Sequence, residues 1–134
     1  VTEGFCATTA GITVTVRVYF LPEQSKPQAN HYVWAYRITI FNAGPRAVQL
    51  LRRTWHITDS TGQTKVVHGD GVVGEQPLLA QGESFEYSSG TPLGTPSGFM
   101  TGWYHMLTVQ TGEEFDIAVP AFSLDSPFED TRRH

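Results

Sequence analysis

Apolar and polar residues alternate with a period of two along most of this chain. Ile12, Val14, Val16, Val18 and Phe20 are separated by Thr13, Thr15, Arg17 and Tyr19, the pattern of a half-buried strand. After a proline-containing loop over 21–30, Tyr32, Trp34, Tyr36, Ile38 and Ile40 share one face of a second strand, ended by Asn42-Ala-Gly-Pro45. From Val48 to Thr58 the parity changes: Val48 and Leu50 share one face, whereas Leu51, Trp55 and Ile57 share the other. One extra residue near Leu50–Arg52, a β-bulge, would restore a single inward face. The plainer alternative is that both faces are partly covered there.

Asp59-Ser-Thr-Gly62 reads as a hairpin turn into a short strand at Thr64–His68, and Gly82-Glu83 opens another that runs through Tyr87. Phe99, Trp103, Leu107 and Val109 mark a strand over about 99–110, and Phe115–Phe122 the last. The segment from Tyr87 to Gly112 contains no Asp, Glu, Lys or Arg. Its glycines and prolines exclude a membrane span, and it reads as an uncharged surface loop feeding a buried strand. No stretch has a convincing helical period. The pattern predicts an all-β fold, an antiparallel β-sandwich of about seven strands, fibronectin type III or immunoglobulin-like. It forms one domain over 1–134, with a core over about 12–124 and flexible termini at 1–10 and 126–134.

Composition narrows the partners more than it names them. Of 134 residues, 40% are hydrophobic and 12% aromatic, enough to fill a core, which excludes a disordered chain. The net charge of −4 gives no global field toward nucleic acid or an anionic membrane, so neither is expected as a partner. Arg52, Arg53 and His56 form at most a local basic patch. The single cysteine, Cys6, permits neither an internal disulfide nor a multi-thiolate metal site, in keeping with a cytoplasmic location. The first residues, Val-Thr-Glu-Gly-Phe-Cys, do not read as a signal peptide. Exposed sheet edges would allow a monomer or a weak homodimer.

The candidate chemistry centres on Gly69-Asp-Gly71-Val-Val-Gly74, which satisfies G-x-G-x-x-G. Glu75-Gln-Pro77 follows in place of a helix, so the dinucleotide reading of that motif fails. What survives is an anion-binding nest of backbone N–H groups. Against it stands a purely conformational role for three glycines in a tight loop. His68, Asp70 and Glu75 would suit a divalent ion only loosely, so no metal site is assigned, and Mg or Co is a weak possibility. No serine or cysteine sits in a nucleophile context, no catalytic residue is assigned, and no enzyme is expected. The candidate ligand-binding residues are Gly69, Gly71, Gly74, His68 and Asp70. Tyr19, Phe41 and Tyr104 have parity opposite to their neighbours' main apolar set; exposed together they would mark a partner surface, and the plainer alternative, which is favoured, is two-sided burial within the sandwich.

Three strings together resemble the ApaG family over about Thr13 to Pro127. The first is Val33-x-Ala-Tyr-x-Ile-x-Ile-x-Asn42. The second is His68-Gly-Asp-Gly-Val-Val-Gly-Glu-Gln-Pro77, preceded by Trp55-x-Ile-Thr-Asp59. The third is Tyr87-Ser-Ser-Gly90, with Leu93, Thr95-Pro96, Gly98, Met100, Gly102 and Tyr104-x-Met106. The resemblance implies a fibronectin-III-like sandwich and no catalytic residues. It implies a small binding module acting through a protein partner, associated with cobalt and magnesium efflux or divalent-cation homeostasis. Its second implication is phosphate, pyrophosphate or nucleotide binding through Gly69, Gly71 and Gly74.

Overall fold

The computed structural model describes residues 4–128. Nine strands lie within them: β1 (Gly4–Thr9), β2 (Ile12–Phe20), β3 (Tyr32–Asn42), β4 (Val48–Asp59), β5 (Thr64–Asp70), β6 (Leu78–Leu79), β7 (Ser84–Leu93), β8 (Gly98–Thr108) and β9 (Glu113–Leu124). One sheet runs β1-β2-β3-β7. The other runs β5-β4-β8-β9, with β6 on the far end of β4, and every pairing is antiparallel. The sheets face each other across one core that includes Trp34, Ile38, Leu50, Trp55, Tyr104 and Phe122. Rings cluster at its centre, with Trp55 5.8 Å from Tyr36 and 6.1 Å from both Tyr104 and Phe122. The antiparallel sandwich is the architecture the alternation predicts.

Four details depart from the sequence reading. Residues 4–9 are a strand rather than part of a flexible terminus: Ala10 and Gly11, both with positive φ, make a two-residue hairpin that pairs Thr9 with Ile12. Phe5 then packs 6.3 Å from Phe122. At the other end, residues 126–128 are held as well. Ser126 donates to the Pro96 carbonyl at 2.6 Å, and Phe128 packs against Phe20 and Tyr32. Residues 1–3 and 129–134 lie outside the described residues.

The uncharged segment is not a loop but a strand pair, β7 and β8, joined at Gly94–Ser97. β7 continues past Tyr87 through Gly90 and Pro92. It is an edge strand bonded only to β3, so proline costs it no ladder partner on the free side. Finally, β8 buries the opposite face to the one expected. Met100, Gly102, Tyr104 and Met106 point inward, and Phe99 and Trp103 outward. Tyr104, one of the three aromatics of opposite parity, has no exposed area, in line with burial rather than a partner surface.

The bulge in β4 is present: its register against β8 shifts between Leu50 and Arg52. That extra residue brings Leu50 and Trp55 to the same face. It also turns Arg53 inward and leaves Arg52 and His56 outside. The basic patch read from Arg52, Arg53 and His56 is therefore split between the two faces of the sheet.

Candidate functional site

The two sheets are not closed alike on their two sides. β9 packs across β1 and β2. On the opposite side the free edges of β5 and β7 stand apart, and a cleft of about 520 Å³ opens between them. Its apolar floor includes Trp55, Val67 and Met100, and its polar lining includes Arg53, Asp59, Lys65 and Ser89.

Arg53 organises the inner end. It lies opposite Gly69 in the β4–β5 register. A Cβ on Gly69 would stand 2.7 Å from Cζ, Nη1 and Nη2 of Arg53 alike, so the guanidinium lies face-on over that bare Cα. Nη1 donates to the carbonyls of Asp70 at 3.0 Å and Gly71 at 2.7 Å. Among the described residues no carboxylate pairs with Arg53, whereas Arg52 pairs with Glu114 and Arg37 with Glu86.

Tyrosine hydroxyls lie close enough to feel this charge. Tyr87 and Tyr104 share a buried hydroxyl–hydroxyl bond of 2.6 Å. Burial raises the phenol pKa of Tyr36, and raises those of Tyr87 and Tyr104 well above the ordinary tyrosine value, while the nearby Arg53 charge opposes the shift.

The glycine segment is a folded corner. Gly71 N–H donates to the Leu51 carbonyl at 2.8 Å, Val72 N–H to Glu75 O at 2.8 Å, and Glu75 N–H to Val72 O at 2.9 Å. Val73 and Gly74 have φ of 42° and 81°, which makes a tight two-residue turn, and Val72 is fully buried in the core. A Cβ on Gly71 would collide with the Glu75 carbonyl. The amides of Gly71 and Val72 are thus committed, to the Leu51 carbonyl of β4 and to Glu75 O.

The predicted residues fall into two groups that meet at Gly69, with His68, Gly69 and Asp70 lining a pocket of about 330 Å³ beside Arg52, Thr54 and His105. Gly69 and Gly71 lie with Arg53 by the cleft, and Gly74 sits at the turn tip. His68 and Asp70 belong to the outer face of the second sheet. There His68 joins a chain that crosses four strands. Asp116 Oδ1 lies 2.7 Å from His105 Nδ1, His105 Nε2 2.8 Å from Thr54 Oγ1, and Thr54 Oγ1 3.2 Å from His68 Nδ1. Glu75 is not part of it. No group of three His, Cys, Asp or Glu able to hold a metal ion occurs among the described residues. Tyr19 and Phe41 are exposed, but they lie at opposite ends of the β2–β3 pair and form no joint surface.

Sequence reasoning missed the inward arginine and the roles of His105 and Asp116. The parity change in β4 was the available signal for Arg53. Among the described residues no helix is long and apolar enough to cross a membrane.

Residues 22–108 match the ApaG domain family. The chain is 57% identical to Protein ApaG of Paramagnetospirillum magneticum, over 96% of this chain and 98% of that protein. It is 58% identical to Protein ApaG of Allorhizobium ampelinum, over 95% of each. The crystal structure of an ApaA protein from Bordetella pertussis superposes with a TM-score of 0.83 at 45% identity, covering 87% of this chain and 94% of that one.

Proposed function

Because this chain belongs to the ApaG family, we propose that it is a small cytoplasmic, non-enzymatic binding module whose protein partner lays a segment in the β5–β7 cleft. The observation that carries this reading is the one-sided closure of the sandwich. An apolar floor is left open between two strand edges whose outer backbone groups have no neighbouring strand among the described residues. Such edges recruit extended segments through main-chain hydrogen bonds, and pockets beside them select side chains. In this reading any influence on cobalt or magnesium homeostasis runs through the partner rather than through an ion held here.

A phosphate, pyrophosphate or nucleotide ligand at Gly69–Gly74 is the second reading. The Arg53 cation beside the loop favours it; the commitment of the Gly71 and Val72 amides weighs against it.

Site-specific photo-crosslinking in host cells tests the main reading. A photoreactive residue at Lys65, on the cleft, should trap a defined protein that one at Arg17, on the other sheet, does not. The purified partner should lose affinity at least tenfold for the Val67→Arg variant, which fills the cleft. Equal capture from both positions, or unchanged affinity, overturns it.

A further inference from the structure

We propose that Arg53 is a pre-oriented fork for a carboxylate, so that the segment taken by the cleft carries a Glu or Asp beside an apolar residue. The inference rests on the cleft being the docking site, and it adds what that site reads.

The bulge in β4 sets the position of Arg53. Leu51, the extra residue, rotates Arg53 to the inner face, where a charge is costly unless something compensates it. Gly69 provides a flat seat, and two carbonyls fix Nη1. The guanidinium's remaining edge, Nε and Nη2, has no hydrogen-bond partner among the described residues. That edge presents two parallel N–H donors, the geometry that a carboxylate matches with two oxygens. The neighbouring groups do not satisfy it. Lys65, on the same inner face of β5, adds positive charge. The one acid lining the cleft, Asp59, spends its Oδ1 on Thr61 and Gln63. Tyr87 and Tyr104 satisfy each other. The site is thus a half-buried cation to which no carboxylate is paired among the described residues, above an apolar floor.

A carboxylate fits this better than a phosphate. A phosphate dianion needs more donors than one planar edge, and the Gly71, Val72 and Glu75 amides of the loop are already used. A peptide supplies the rest: its backbone can meet the free edge of β5 or β7, and an apolar side chain can rest on Trp55 and Val67.

The test is a titration of the isotope-labelled chain, following the Arg53 Nε–H resonance with the Gly69 and Ser89 amides. N-acetyl-Leu-Glu-amide is compared with N-acetyl-Leu-Gln-amide, of the same shape without the charge, and with inorganic phosphate. At equal millimolar concentration the Glu peptide should move the Arg53 signal at least fivefold more than the Gln peptide or phosphate. Gly69→Ala, which displaces the guanidinium from its seat, should keep a dispersed spectrum and lose that selectivity. Arg53→Lys should abolish the Ser89 response. Equal responses to the Glu and Gln peptides overturn the fork, and so does a larger response to phosphate. Selectivity at Arg53 with no partner trapped at Lys65 would remove the docking reading and leave the fork standing.

Discussion

His105 is held between two partners at right distances for opposite roles: Asp116 Oδ1 at 2.7 Å from Nδ1, and Thr54 Oγ1 at 2.8 Å from Nε2. The carboxylate can only accept, so Nδ1 carries the proton. In the neutral ring Nε2 must then accept from Thr54. The hydroxyl has one proton to give, so His68 Nδ1, 3.2 Å away, must donate to it. At a pH where both imidazoles are neutral, both should be Nδ1–H tautomers, which long-range ¹H–¹⁵N correlation spectra report directly. Thr54→Val should release His68 to a tautomer mixture and cost about 1 kcal/mol of stability. An Nε2–H tautomer at His105 in the wild type would break the assignment.

The buried hydroxyl pair of Tyr87 and Tyr104 gives a second test. Removing one hydroxyl leaves the other buried without its partner, so Tyr87→Phe or Tyr104→Phe should each cost about 1–3 kcal/mol. The double variant should cost less than the sum of the two, as denaturant titration would show. The raised phenol pKa values also set an alkaline limit. The unfolded chain ionises these groups near 10, while the fold keeps them neutral. Their contribution is full below that pH and is lost as pH rises above it. A spectrophotometric titration should show the buried tyrosines ionising only together with unfolding.

Asp59 acts at the acid end. Its carboxylate accepts from the Thr61 hydroxyl at 2.6 Å and from the Thr61 and Gln63 amides, and these bonds hold its pKa below the ordinary 3.8. A depressed carboxylate stabilises the fold above its unfolded pKa. That stabilisation disappears as pH falls through the folded value. Asp59→Asn keeps an acceptor oxygen but not the charge. It should be less stable than the wild type at pH 7, and the difference should shrink below about pH 4. Thermal unfolding measured from pH 7 down to 2.5 would check this, and a gap that stayed constant would contradict it.

How far these relationships could be read from the chain depends on what carries them. Alternation in β2 and β3 gave inward and outward faces correctly, because both strands are central and their larger apolar residues fall mainly on one face. The parity change at Leu50–Arg52 announced the bulge and, with it, the inward turn of Arg53. β8 misled because its exposed face carries Phe99 and Trp103, the latter against His56 at 5.6 Å. Its buried face includes Gly102, which gives no hydrophobic signal. There a Cβ would meet the Trp55 ring at 2.9 Å. The chain from Asp116 to His68 draws one residue from each of four strands, and no local spacing records such a row. The glycine motif was visible, but its partners, Arg53 and Glu75 O, are matters of three-dimensional contact.

The corner at Gly71–Glu75 separates a conformational role for its glycines from a ligand-binding one. Gly71 combines a φ of 61° with a carbonyl where a Cβ would lie, so Gly71→Ala should destabilise the domain by about 2 kcal/mol or more. Gly74 also has a positive φ, but nothing lies within 4 Å of its missing Cβ. Gly74→Asn should therefore cost less than about 1 kcal/mol. Val73 is the residue under strain: a β-branched side chain at φ 42°, largely exposed, in a turn that favours asparagine. Val73→Asn should stabilise the fold by about 1 kcal/mol. Denaturant midpoints for the three variants should fall in the order Val73→Asn, Gly74→Asn, Gly71→Ala, from most to least stable. If Gly71→Ala were as stable as the wild type, the carbonyl of Glu75 would not be what requires glycine there.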